Sequence, residues 1–247
     1  VSRERQQTLA GLFECPIDEI KLIYNGVDPI QLLGLSDQGI TLVNKLGLIK
    51  SDINILMPVR VTQAKNIEFA LKVVAELKRM GLNPKLVVTG PPDPHDPKSM
   101  DYYQSLRDLR VELGVVDEMR FIFEVGPEAD QPYFIDEKVV GDLYRVSDVM
   151  FMPSHREGFG MPVMEAGLVG IPIVSRDVPA AQELAVEETS IFNADTSAER
   201  VAACLVQIQE GSSTALLRSR VRKHYTWEAI FEDSIQPLLR TGDQNEK

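Results

Sequence analysis

Short apolar runs alternate along this chain with longer stretches in which apolar residues recur every three or four positions. The runs lie at 53–58, 85–89, 120–124, 148–152, from Ile171 onward, and at 190–192. Between the first two, Ile67, Ala70, Leu71, Val74 and Leu77 mark one face of a helix over 67–80 that Gly81 ends. The same spacing predicts helices over 99–113, 136–146, 178–184 and 197–209, the last with Val201, Leu205 and Ile208 inward. Strand and helix alternate six times with no hairpin signal between them. That is the pattern of an α/β fold, a doubly wound, Rossmann-like parallel sheet, whose ligands belong at the carboxyl ends of its strands.

The ends are less regular. A helix is expected over 2–13, with Leu9, Leu12 and Phe13 on one face, then a short strand over 20–24 and a tight turn at Asn25-Gly26-Val27-Asp28-Pro29. Residues 30–50 show no clean period and read as loop with short helical or strand pieces. Thr226 reads as the N-cap of a helix over 227–239, where Trp227, Ile230, Phe231 and Ile235 make an apolar face too wide for an isolated helix in water. The polar tail from Thr241 is expected to be disordered.

Composition narrows the function. A hydrophobic content of 44% over 247 residues supports a sizeable core in one large domain or one and a half ordinary ones. The net charge of -11 excludes non-specific nucleic-acid or anionic-membrane binding, while leaving room for a local basic pocket. Cys15 and Cys204 lack metal-ligand spacing and read as thiols of a reducing compartment. No apolar run reaches the ~20 residues that span a bilayer, and the first residues carry no signal-peptide core, so a cytoplasmic protein is expected. The charged opening without an initiator Met suggests a piece of a longer enzyme.

Two loops carry the candidate chemistry. After the strand at 148–152 comes Glu157-Gly158-Phe159-Gly160-Met161, which opens into a helix. A helix start with glycines lets backbone N–H groups approach an anion. Glu165 lies eight positions beyond Glu157, two helical turns on and so on one side of a helix, and carboxylates suit sugar hydroxyls. Arg60 and Lys65 sit between the strand at 53–58 and the next helix N-terminus. Two cations there oppose the dipole and repel each other unless an anion is supplied. In the loop at 90–97, four prolines impose a stiff course; its lone His95 is either a ligand contact or an exposed side chain.

The stretch Glu157-Gly-Phe-Gly-Met-Pro-Val-Met-Glu165 resembles the glutamate, seven residues, glutamate signature of retaining nucleotide-sugar glycosyltransferases with the GT-B fold, the glycosyltransferase group 1 type. The Arg60/Lys65 spacing and Asn25-Gly26-Val27-Asp28 match the same family. The resemblance covers the carboxyl-terminal, donor-binding half of a GT-B architecture. It implies a leading helix and linker at 1–22, a nucleotide-sugar-binding domain at 23–225, a terminal helix at 226–240 that packs on a missing amino-terminal acceptor domain, and a tail at 241–247. It also implies roles. Arg60 and Lys65 clamp the donor diphosphate, Glu165 takes the ribose hydroxyls, the Gly158, Phe159, Gly160 and Met161 amides contact phosphate and sugar, and Glu157 holds the transferred hexose.

The donor would be a nucleoside-diphosphate sugar, with no further cofactor and no catalytic metal. The chain offers neither a Ser-His-Asp or Cys-His arrangement nor an Asp-x-Asp pair. The longer loop at 125–132 is a candidate wall for the nucleotide base, or a surface insertion. Alternatives are a GT-B glycoside phosphorylase, a non-catalytic nucleotide-binding module and, with a poorer motif fit, a sugar-nucleotide epimerase. The acceptor is not readable, and the isolated chain is expected to lack turnover.

Overall fold

All six apolar runs become strands of one parallel sheet in a computed structural model of the chain, which describes residues 2–128, 131–185 and 189–242. The strands are β1 (Ile53–Met57), β2 (Pro84–Val88), β3 (Met119–Phe121), β4 (Val149–Met152), β5 (Ile173–Arg176) and β6 (Thr189–Phe192). Their order is β3-β2-β1-β4-β5-β6, and every pairing is parallel. The chain walks outward from β1 to β3, returns, and walks out the other way from β4. The order therefore reverses between β1 and β4, which pair through Ile55–Val149 and Leu56–Met150.

The helices are, in chain order, α1 (Arg3–Leu12), α2 (Pro29–Leu33), α3 (Asp37–Leu46), α4 (Ile67–Arg79), α5 (Ser99–Glu112), α6 (Glu137–Val146), α7 (Met161–Val169), α8 (Pro179–Ala185), α9 (Ala198–Gly211), α10 (Ser213–His224), α11 (Trp227–Ile230) and α12 (Gln236–Gly242). Strand β1 is buried at all five positions because helices cover both faces of the sheet. Ile53, Ile55 and Met57 pack with α4, α5 and α9 on one side. Leu56, one position out of phase, joins α3, α6, α7 and α8 on the other. At the amino end of β1, buried Asn54 donates to the carbonyls of Leu48 and Val146 and accepts from Ser51, so no polar atom of its side chain is left unpaired inside.

The sheet lies within the unit formed by residues 33–216; a second unit joins residues 2–32 to 217–242. In that second unit Val27 and Thr226 are bridged in parallel. The Val27 N–H donates to Tyr225 O at 2.7 Å, and the Trp227 N–H returns to Val27 O at 3.2 Å. Asp28 accepts from the Ile30 and Gln31 amides and so starts α2, while Thr226 caps the Ala229 amide. Cys15 and Cys204 are free thiols.

Four local expectations are corrected. Residues 20–24 lie outside the strands of the sheet, and the Ile20 carbonyl accepts from Gln6 Nε2 at 2.6 Å. Within 30–50 lies a full helix, α3, capped by Ser36 and closed by Gly47. The run at 120–124 keeps strand geometry only to Phe121 before turning through a 3-10 turn, Ile122–Glu124. The terminal helix is interrupted by a π-helical turn, Phe231–Ile235, and continues to Gly242. The rest of the polar tail, 243–247, lies outside the described residues.

Candidate functional site

An open parallel sheet leaves a crevice where its strand order reverses, because the two loops leaving adjacent strands turn to opposite faces. Here those loops follow β1 and β4, and they are tied together. The His155 amide donates to Ala64 O at 2.8 Å, and Asn66 Nδ2 donates to Pro153 O at 3.1 Å. Asn66 closes the first loop in the left-handed conformation, φ 52, that asparagine tolerates better than most residues.

Lys65 and Glu157 meet across this crevice. Lys65 Nζ lies 2.6 Å from Glu157 Oε2, with the Glu157 side chain 6% exposed and Lys65 20%. The pair compensates both charges, so the expected destabilisation by an unopposed Lys65 does not arise; Glu157 plays the part of the missing anion. The other carboxylate oxygen, Glu157 Oε1, is buried without a partner among the described residues, as is Ser154 Oγ three positions earlier. Buried polar atoms are nearly always satisfied, so these two mark a place where a donor or acceptor from outside is accommodated. Arg60 stands apart on the same loop. Its side chain is 61% exposed and 3.9 Å from Asp93 of the proline-rich loop, which is itself joined to the first loop through Val61 and Pro92.

Gly160 is the N-cap of α7 at φ +86, and a Cβ there would sit 2.9 Å from Ala180 Cβ, so this turn accepts only glycine without rearrangement. The Gly158, Phe159, Gly160 and Met161 amides make no hydrogen bond to other described residues, leaving donors at the positive end of a helix. Phe159 and Met161 are exposed. Because α7 begins only at Met161, Glu157 is not on the helix. The expectation that Glu157 and Glu165 share one helix side is corrected, and their settings differ.

Glu165 Oε2 accepts from the Tyr144 hydroxyl of α6 at 2.8 Å. Burial, and then the hydrogen bond to Glu165, push the Tyr144 phenol pKa well above its ordinary value. Sequence reasoning did not find Tyr144, Ser154 or Asp93. Nor did it find the contact between Arg176 at the end of β5 and His155 Nδ1. His95 is exposed, its amide donating to Asp93 Oδ1.

Two cavities lie away from this crevice. One, of about 690 Å³, is lined by β6 and α9, including Asn193, Arg200 and Cys204. The other, of about 610 Å³, is lined by α5 and by Phe123, Glu124, Gln131 and Pro132. Neither is lined by Arg60, Lys65, Glu157 or Glu165. Of the loop proposed as a base wall, 129–130 lie outside the described residues, and Lys45 Nζ donates to Gly126 O at 2.5 Å. No described helix is long and apolar enough to cross a membrane.

A doubly wound sheet with a basic and acidic loop pair at its reversal point is an α/β domain of the kind that takes its ligand in that crevice. The chain belongs to the family described as glycosyl transferases group 1, whose profile matches residues 40–215. It is 28% identical over 192 residues to an uncharacterized glycosyltransferase of Methanocaldococcus jannaschii, covering 77% of this chain and 44% of that protein. It is 34% identical over 121 residues to the D-inositol 3-phosphate glycosyltransferase of Saccharomonospora viridis, covering 48% of this chain and 26% of the relative. The chain thus spans less than half the length of these curated relatives.

Among solved structures, Anabaena HepE in complex with UDP-glucose superposes with a TM-score of 0.56 at 19% identity, over 97% of this chain and 62% of that one. The C-terminal domain of the group 1 protein LpcC from Francisella tularensis superposes at 0.54 and 19% identity, over 84% of this chain and 98% of the other. At these identities the likeness is one of fold.

Proposed function

We propose that this chain is the donor-binding domain of a retaining, metal-independent glycosyltransferase that moves a hexose from a nucleoside-diphosphate sugar to an acceptor hydroxyl. The observation that carries the reading is the Lys65–Glu157 pair at the sheet's reversal point, with Glu157 Oε1 buried and unpartnered beside it. An acceptor-only oxygen in that position calls for a hydroxyl donor, and a lysine next to it suits a phosphate; a sugar diphosphate carries both groups.

In this reading Arg60 and Lys65 bind the diphosphate and neutralise charge as it leaves, and the free amides at 158–161 take phosphate and sugar oxygens. Glu157 holds a hydroxyl of the transferred sugar and favours positive charge at its anomeric carbon. Glu165 takes the ribose. The leaving phosphate accepts the proton of the attacking hydroxyl, so no protein nucleophile takes part. The two cations do the electrostatic work a divalent metal does elsewhere. The acceptor domain, and turnover, belong to a longer protein.

The test is calorimetric titration of the chain with UDP, GDP and ADP, without metal and then with magnesium. One nucleotide is expected to bind without metal, and Arg60→Ala is expected to abolish binding. Glu165→Ala should weaken binding more than it lowers the melting temperature; a large stability loss at unchanged affinity would sink the ribose assignment.

A further inference from the structure

We infer that Tyr144 is a positioning residue of the nucleotide site, anchoring one oxygen of the Glu165 carboxylate so that the other is presented to the vicinal hydroxyls of the ribose. The inference rests on the donor-site reading above and deepens it.

Tyr144 belongs to the core. It is 2% exposed and sits in the cluster that α3, α6, α7 and α8 build against the sheet, with Leu143, Val146, Val163 and Ala166. A phenol ring packed on all sides has one position, so its hydroxyl is a fixed point on the inner surface of α7. It donates to Glu165 Oε2 at 2.8 Å, while the Pro162 carbonyl at 3.4 Å is too long to compete for the single proton. Among the described residues Glu165 has no other hydrogen-bond partner, and its Oε1 remains available.

A glutamate has three rotatable bonds, and a half-exposed one samples many orientations. Binding a diol requires it to settle into one. Tethering Oε2 to a core hydroxyl leaves little freedom to lose. The burial that pushes the Tyr144 pKa upward also keeps the phenol protonated, so it remains the donor of this hydrogen bond.

The competing reading reverses the roles: Glu165 is there to satisfy a buried phenol. The two differ in what Tyr144→Phe does. This change keeps the ring and removes one oxygen, so the variant is expected to fold. The experiment titrates the chain with UDP, GDP and ADP, then with the 2′-deoxy form of whichever binds, and with inorganic pyrophosphate, for wild type, Tyr144→Phe and Glu165→Ala.

Wild type should prefer the ribonucleotide by roughly tenfold, the scale of one hydrogen bond to a charged group. Glu165→Ala should erase the preference. Tyr144→Phe should reduce it to about threefold or less while pyrophosphate affinity stays at the wild-type value, showing that the α7 amides and cations are undisturbed. A Tyr144→Phe protein that melts lower yet keeps the full ribose preference overturns the inference. If no nucleotide binds, or if Glu165→Ala retains the preference, the donor-site reading itself has failed and the inference falls with it.

Discussion

Lys65 and Arg60 lie five positions apart on one loop and carry the same charge, yet their surroundings make them different residues. Lys65 compensates a carboxylate that is 6% exposed, whereas Arg60 stands in water near Asp93. Removing one partner of a buried pair strands the other charge and costs about 3–5 kcal/mol, while an exposed pair contributes up to ~1 kcal/mol. Lys65→Ala is therefore expected to lower unfolding free energy by several-fold more than Arg60→Ala in urea titrations, although both should weaken diphosphate binding. Equal stabilities for the two variants would show that the pair is not formed in solution. The sequence marked both cations; it did not show that the partner of one lies 92 positions away.

Three tyrosines make the fold sensitive to alkaline pH. Burial first, then a neighbouring carboxylate, raises the pKa of Tyr102 beside Glu68, of Tyr144 beside Glu165, and of Tyr103, pushed up to about 12 beside Glu124. In the unfolded chain a tyrosine ionises near pH 10 (about the model-peptide value). Above that pH the unfolded chain loses protons that the folded chain keeps, so stability is full below about pH 10 and falls as pH rises toward 12. A melting temperature that stays level from about pH 9 to about pH 11 would contradict this.

Elements were legible where their period was unbroken. The helix α4 shows six buried positions in thirteen residues, all apolar, and its run was visible at once. The helix α3 was not, although its buried residues Gly39, Leu42, Val43 and Leu46 fall at the same spacing. The first of them is a glycine, which carries no hydrophobic signal. It is there because a Cβ would lie 2.0 Å from Asp142 Oδ2, where the Asp142 carboxylate accepts from the Ser36 amide and hydroxyl at the helix start. The strand expected at 20–24 failed for the opposite reason. Its apolar residues were present, but a strand is fixed by the ladder it joins, and this segment is not among the strands of the described sheet; its Ile20 carbonyl is taken by Gln6 Nε2. At α7 the controlling residue is Gly160. Gly160→Ala should cost about 1–2 kcal/mol for the left-handed backbone alone, with the contact to Ala180 in addition. The start of the helix would shift with it, so nucleotide affinity should fall together with the melting temperature; loss of stability at full affinity would separate α7 from the site.

For the whole molecule the prediction is linkage. A nucleotide at a hundred times its dissociation constant should stabilise the chain by about 2.7 kcal/mol, a shift of a few degrees in the melt, and Arg60→Ala should cancel it. No shift at millimolar nucleotide would count against a donor site in this chain. The alternation of β-type runs with helix-period stretches sufficed for the parallel doubly wound class, because a half-buried helix imposes a period of about 3.6 residues on its sequence and a strand covered on both faces an unbroken apolar run. The residue types at 60, 65, 157–161 and 165 were likewise plain, with the family they resemble. Tertiary structure alone decided the pairings: Lys65 with Glu157, Tyr144 with Glu165, Asp142 with Ser36. Each joins residues that are 21 to 106 positions apart. Such contacts follow from which loops the strand order brings side by side, and a local pattern of hydrophobic and polar residues contains no record of that order.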